Sequence, residues 1–428
     1  MLPSTKTIAR NVGIFGGAQV ISVLAALIRT KVAAVCLGST GVGLSAIYIT
    51  SVLLISNIAG LGLTFSGVKY LSEVVANGNK EESKKAVESM RSLALLCSIC
   101  GFTLIIIVSP LLSKIYFGDT SQILSFVLLS LYVAGNIFGG IEFAIMKAFQ
   151  KVKFMTLSMI ITALCSVSIS VPFYIYKGVD GVIWAVLFCG LSEAVALCFL
   201  GYKTIKTRYT LSYVFANGFW TKNKPMLVLG FASLLGAIIS YSSDMAIQSA
   251  FASMISIATL GLYKAGYQLS LHYPGMIFTA VGNDYYPRLS AVSNNVDERN
   301  TLIRRQIKVL LCITTPLIAG FIILVPYLLP LLFDDTFSPV CRMVQIASLS
   351  IIIKAVTVPL NYIPLALGKS LHYLYLEGSF WILLIPLVLF GYKINELDGV
   401  GMAIFVGHII ELIYVCLFCR IKYDFRFL

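Results

Sequence analysis

At 428 residues, 58% hydrophobic and 12% charged, the chain cannot cover a water-facing surface, because a soluble domain is roughly 45–50% apolar and about 25% charged. Its length would allow about two or three soluble domains, but apolar runs recur at near-regular spacing from end to end, so the natural unit is a helical bundle. The net charge of +13 sits in short Lys and Arg clusters between those runs rather than on one polar face, which argues against nucleic acid as a partner and for membrane topology.

A helix needs roughly twenty apolar residues to cross a bilayer. Its backbone must be satisfied internally, which excludes open sheets. The amino terminus, MLPSTKTIARNVGIFGGAQVISVLAALIRT, has a basic start and an apolar run, with no cleavage site leading into a polar domain. It reads as a retained first helix rather than a signal peptide. On the same rule helices are predicted at 10–36, 44–68, 92–116, 123–146, 154–176 and 181–200, and then at 226–247, 257–281, 309–333, 343–367, 371–390 and 399–418. The fold class expected is an all-α polytopic membrane protein of about twelve transmembrane helices.

Loop charge orients this layout. With the amino terminus in the cytoplasm, one side receives Lys6, Arg10, Arg91, Arg208, Lys222, Arg299 and others, and the far side only Lys31, Lys114, Lys177, Arg342 and Lys393. The ratio is about 24 to 5, a strong positive-inside bias that places both termini in the cytoplasm. The polar segments 72–91 and 290–308 suit small cytoplasmic amphipathic helices. The longest polar stretch divides the chain into a six-helix half (1–203), a connecting segment (204–224) and a second six-helix half (225–428).

The halves repeat. A shift of about 218 residues lays LGLYKAGYQLS (260–270) on VGLSAIYITSV (42–52) and Gly368-Lys369 on Gln150-Lys151, and a nearly equal shift lays Phe333-Asp-Asp-Thr336 on Phe117-Gly-Asp-Thr120. Two parallel copies of six helices predict pseudo-symmetric halves around a central cavity, the plan of alternating-access transporters.

Three cations, Arg29, Lys264 and Lys354, fall inside predicted spans. A charge at mid-bilayer is costly unless it is paired or faces a wet cavity. With Lys31 they form the candidate substrate-binding set, Arg29 having a competing reading as a cation snorkelling to the headgroups. Lys264 has two readings, a ligand site or a structural pair with Asp244 at similar depth. Asp244 and Glu193 are the candidates for coupling to a proton or sodium gradient, each with a competing reading as a structural partner. Asp284 and Arg288, at i and i+4, make a local pair near a cytoplasmic end, while Glu142 and Lys147, close to a similar end, read as interfacial. Tyr263, Tyr267, His272, Tyr273, Pro274 and Gly275 mark a bend in the eighth helix that either lines a cavity or packs.

Other chemistries lack their residues. Cys97-Ser-Ile-Cys100 and Cys416-Leu-Phe-Cys419 lie in apolar runs without a second ligand pair. His272, His372 and His408 sit on different helices without metal-ligand spacing, and no P-loop or Gly-x-Ser-x-Gly elbow is present. No cofactor is expected.

The stretch GVGLSAIYITSVLLISNIAGLGLTFSGVKYLSE (41–73), its charged loop, and LLFDDTFSPVCRMVQIASLSIIIKAV (331–356) resemble the Wzx polysaccharide-biosynthesis flippases of the multidrug/oligosaccharidyl-lipid/polysaccharide exporter superfamily, over nearly the whole chain. The resemblance implies an undecaprenyl-diphosphate-linked oligosaccharide, such as an O-antigen unit of lipopolysaccharide, flipped across a bacterial inner membrane. It also implies the lipid bilayer and polysaccharide polymerase machinery as partners. Arg29, Lys31, Lys264 and Lys354 would then compensate the diphosphate. Two readings compete. A drug or cation antiporter of the related MATE type would favour acidic cavity residues, and a membrane polymerase or ligase of lipid-linked glycans would need a long outer loop.

Overall fold

The computed structural model describes residues 5–207, 209–215, 218–293 and 295–426. Arg208, and the side chains of Lys6, Arg10, Lys222 and Asp284 among the charges read above, lie outside what it describes. The described helices are, in order, α1 (Thr5–Gly60), α2 (Leu63–Ala76), α3 (Lys80–Phe117), α4 (Ile123–Leu128), α5 (Ser130–Ala148), α6 (Val152–Lys177), α7 (Gly181–Thr204) and α8 (Phe219–Met254). There follow α9 (Ile257–Tyr267), α10 (Tyr273–Ala291), α11 (Val296–Leu332), α12 (Val340–Ser348), α13 (Ser350–Ala366) and α14 (Ser370–Tyr423). No strand occurs among the described residues, as hydrocarbon demands of a backbone that must satisfy itself.

Eight continuous helical stretches are long and apolar enough to span a bilayer, and three of them are doubled. Gly38 breaks α1 at φ 63, ψ −166, a conformation glycine reaches without a Cβ penalty; Arg29 before the break and Ser45 after it both border Tyr174. Gly178, at φ 56, turns α6 back along α7, where a Cβ on Gly181 would strike the Phe173 carbonyl. Asn395 and Glu396 break α14, and the backbones of Gly391 and Gly399 then meet so closely that a Cβ on either would strike the other's carbonyl. With these breaks, and with α9–α10 as one further pass, the described residues make about twelve crossings.

The chain forms two compact units, Met1–Met245 and Ala246–Leu428, the division falling within α8. Their punctuation repeats at roughly 218 residues. Asn79 caps α3 by accepting from the Glu81 and Glu82 amides at 3.0 and 3.3 Å. Asn295 caps α11 by accepting from Asp297 and Glu298 at 3.2 and 3.3 Å. Both caps are followed by an acidic first turn, which suits the helix dipole. Leu129 separates α4 from α5 as Leu349 separates α12 from α13, and Gln150 and Gly368, at φ 53 and 70, end α5 and α13.

The polar segments expected to form separate short helices are instead divided between the ends of α2 and α10 and the opening turns of α3 and α11, which are 38 and 37 residues long. Nothing at 91–92 or 308–309 breaks a helix, so the Asn caps start one rod each. Two cations assigned to loops are buried there as a result. Arg299 in α11 donates to the Ser293 carbonyl at 3.1 Å and to the Tyr423 carbonyl. Arg91 in α3 is wholly buried and grips Glu142 of α5 with two bonds, Nε to Oε1 at 2.6 Å and Nη2 to Oε2 at 2.8 Å. Its other donors reach the carbonyls of Gly201, Ile205 and Thr207 and the Thr207 hydroxyl, and its guanidinium lies 4.6 Å from the Tyr209 ring centroid. Glu142 is therefore the partner of Arg91 in the core of the first unit, not an interfacial group beside Lys147.

Candidate functional site

The bend in the α9–α10 pass has a specific form. Pro274 has no N–H, and its ring clashes with the carbonyl four residues back, that of Ser270. The backbone responds by widening: residues Gln268–His272 form a π turn, and the Tyr273 amide bonds to the Gln268 carbonyl. Such turns add a residue to a helical revolution and are frequent at functional sites. Tyr267 and Leu271, at this turn, line a cavity of about 320 Å³ within the second unit.

The opposite walls of the cavity come from α13 and α14. From α13, Lys354 and Asn361 line it; from α14, Trp381, His408 and Glu411 do. The polar groups are ordered by one another. His408 Nδ1 and Glu411 Oε2 are 2.7 Å apart, and Asn361 Nδ2 donates to Glu411 Oε1 at 3.5 Å. The Phe380 ring stacks on His408 with centroids 4.8 Å apart. One turn along α14, Trp381 Nε1 donates to Glu377 Oε1 at 3.1 Å. Two groups are left over. The Asn361 Oδ1 atom is buried without a hydrogen-bond partner. Lys354 makes no hydrogen bond or ion pair among the described residues, although its charge is felt at His408.

Lys264 neighbours one residue of the cavity wall, Tyr267. It is 8% exposed, and its Nζ lies 5.9 Å from the centroid of Tyr267, a cation held over an aromatic face. Tyr267 thus neighbours Lys264 and shares the cavity wall with Lys354. Asp244, weighed above as a partner for Lys264, accepts from Thr50 Oγ1 at 3.4 Å in the first unit.

The first unit holds a separate charged group. Arg29, half-buried in α1, is the charged neighbour of Glu193 on α7, and both act on Tyr132. Lys31, two residues on and therefore on a different side of the helix, is exposed. So two residues named separately, Arg29 and Glu193, belong to one cluster, while Lys31 does not face it.

The His408–Glu411 pair was not singled out from sequence. Its signal was the i, i+3 spacing that puts two side chains on one helix face, within a run that otherwise reads as apolar. No group of three His, Cys, Asp or Glu side chains suited to a metal ion occurs among the described residues.

Comparison with known proteins follows the same line. A family described as "Polysaccharide biosynthesis protein" matches residues 48–342. No curated protein matches the sequence. Among solved structures, the chain is similar to an inward-facing multidrug resistance MATE family transporter of the MOP superfamily, with TM-score 0.76, 14% identity, and 94% of each chain covered. It is similar to the lipid II flippase MurJ in an inward closed conformation, with TM-score 0.74, 15% identity, and 95% of this chain and 87% of that one covered. A third is a MOP superfamily transporter from Pyrococcus furiosus, whose binding pocket is described as reversed in polarity, with TM-score 0.70, 14% identity, and 98% and 96% covered. The fold is that of multi-pass membrane transporters.

Proposed function

This chain belongs to the family of polysaccharide biosynthesis proteins, and on that premise we propose that it is a flippase for undecaprenyl-diphosphate-linked oligosaccharide. The cargo, an O-antigen or related repeat unit, passes from the cytoplasmic to the periplasmic leaflet of a bacterial inner membrane by alternating access. The observation that carries the reading is Lys354, whose ammonium has no ion-pair partner among the described residues and lines a polar and aromatic cavity. A half-buried cation without a carboxylate of its own suits a diphosphate headgroup, because the headgroup supplies the missing charge. Lys264, over Tyr267, and Arg29 in the first unit add to the cationic set. A neighbour in fold is described as a lipid II flippase, which supports a lipid-linked cargo. The repeated caps and breaks support two halves of six helices, 1–203 and 225–428, and the basic clusters between helices support cytoplasmic termini. Glu193, beside Arg29, and Asp244 are the proposed groups for coupling to a proton or sodium gradient.

A drug or cation antiporter is the second reading, favoured by Glu377 and Glu411 in the same cavity. Glu411 is hydrogen-bonded to His408 and Asn361, and Glu377 to Trp381; Lys354, which has no such partner among the described residues, is what supports the anionic cargo. The test is depletion of the protein in its native bacterium, with the leaflet of the lipid-linked glycan assayed. Glycan held in the cytoplasmic leaflet is expected; normal periplasmic accumulation would sink the flippase reading, and loss of cation efflux with normal glycan would establish the antiporter.

A further inference from the structure

We propose that the cavity of the second unit is a saccharide subsite that takes a pyranose bearing an anionic group. Its walls combine two chemistries that sugars require together. Pyranose rings present apolar C–H faces, which pack on aromatic rings, and a rim of hydroxyls, which need fixed donors and acceptors. Tyr267, Phe380 and Trp381 supply the first, and Trp381 is held in one orientation by its bond to Glu377. Asn361 and Glu411 supply the second. The Asn361 Oδ1 atom is buried and unsatisfied, a condition that costs free energy until a donor arrives. A sugar hydroxyl or acetamido N–H is such a donor. Lys354 supplies the charge that completes the specificity, on the same face of α13 as Asn361, seven residues away. The volume, about 320 Å³, lies at the small end of the roughly 300–1,000 Å³ of ligand sites, which fits one or two sugar rings and excludes a long glycan.

The anion has two sources. It is either the phosphate on the first sugar of a lipid-linked glycan or the carboxylate of a uronic acid within it. The identity of the cargo rests on the flippase reading; the binding of an anionic pyranose does not.

The sequence contains three tryptophans, so Trp184→Phe with Trp220→Phe leaves Trp381 as the sole indole in the full-length protein, purified in nanodiscs. Four probes are titrated against its emission: N-acetylglucosamine 1-phosphate, glucuronic acid, methyl glucoside and inorganic pyrophosphate. At least one of the anionic sugars is expected to change the emission saturably, roughly tenfold or more tightly than methyl glucoside, the scale of one charge-assisted hydrogen bond. The tighter of the two names the source of the anion. Lys354→Met is expected to erase that advantage while methyl glucoside binding persists, and Asn361→Leu to weaken every sugar, both in protein that elutes as the parent does on size exclusion. Emission unmoved by any sugar overturns the subsite. So does pyrophosphate binding as tightly as the sugar phosphate, which would mark an anion site with no saccharide recognition. A glycan held in the wrong leaflet on depletion, with Trp381 silent, refutes the subsite and spares the flippase; sugar binding with normal glycan distribution does the reverse.

Discussion

Replacing Arg91 with methionine tests how the first unit is held together. The guanidinium and the Glu142 carboxylate are both wholly buried and joined at 2.6 and 2.8 Å. Removing the cation alone strands the carboxylate where no water reaches it, a change that costs about 3–5 kcal/mol in buried pairs. The carbonyls of Gly201, Ile205 and Thr207 lose their donor as well, which puts the expected loss toward the upper end. An exposed pair gives the contrast: Arg342 and Asp398, 3.5 Å apart with the arginine 77% exposed, belong to the class worth about 0–1 kcal/mol. The double variant Arg91→Met with Glu142→Leu removes the stranded charge and is expected to recover most of the loss, since apolar replacements of buried pairs are often neutral. Equilibrium unfolding in mixed micelles by titration with a denaturing detergent measures all three variants. A single variant that loses less than about 1 kcal/mol, or a double variant no more stable than the worse single, would refute the account of the clasp.

Lys354→Met is expected to lower transport of lipid-linked glycan about tenfold or more at unchanged membrane abundance; full transport would remove Lys354 from the site. Pro274→Ala restores an N–H and lifts the ring clash, so the π turn at Gln268–His272 is expected to relax to a plain helix and swing Tyr267 away from the cavity. Transport should then fall without loss of stability, and hydrogen exchange of the amides at 268–273 reads the change; an unchanged exchange pattern would contradict the role given to Pro274. Gly399→Ala drives a methyl into the Gly391 carbonyl and should destabilise the second unit by about 1–3 kcal/mol, the scale of overpacking. Unfolding at the parent detergent concentration would show that the two backbones separate at no cost.

The helices were legible because apolar length is a local property: the run from Gly17 to Gly60 and the glycine that folds it are both visible in sequence. The extent of α3 and α11 was less so. A polar segment after a loop looks like a separate helix, and only Asn79 and Asn295, acting as caps without a breaker behind them, say that the rod is continuous. Arg91 was misread because its partner is 51 residues away and no local pattern announces a pair made across helices. Glu142 was misread for the same reason. Lys264 and Lys354 stood out by their depth, but Tyr267, which neighbours the first and shares a cavity with the second, adjoins a π turn whose cause, Pro274, was visible while its geometry was not. The proximity of Arg29 and Glu193 joined two residues that sequence had given different roles.

The close glycine contacts carry a steric consequence. Where Gly391 meets Gly399, and where Gly181 meets the Phe173 carbonyl, no side chain stands between the two arms of the hairpin. The two arms of α14, and likewise α6 with α7, are therefore in backbone contact at their joined ends, with no room there for a side chain. The widened turn ahead of Pro274 is a different kind of departure from the helix: among the described residues it carries no such backbone contact, and the chain continues through it in one pass.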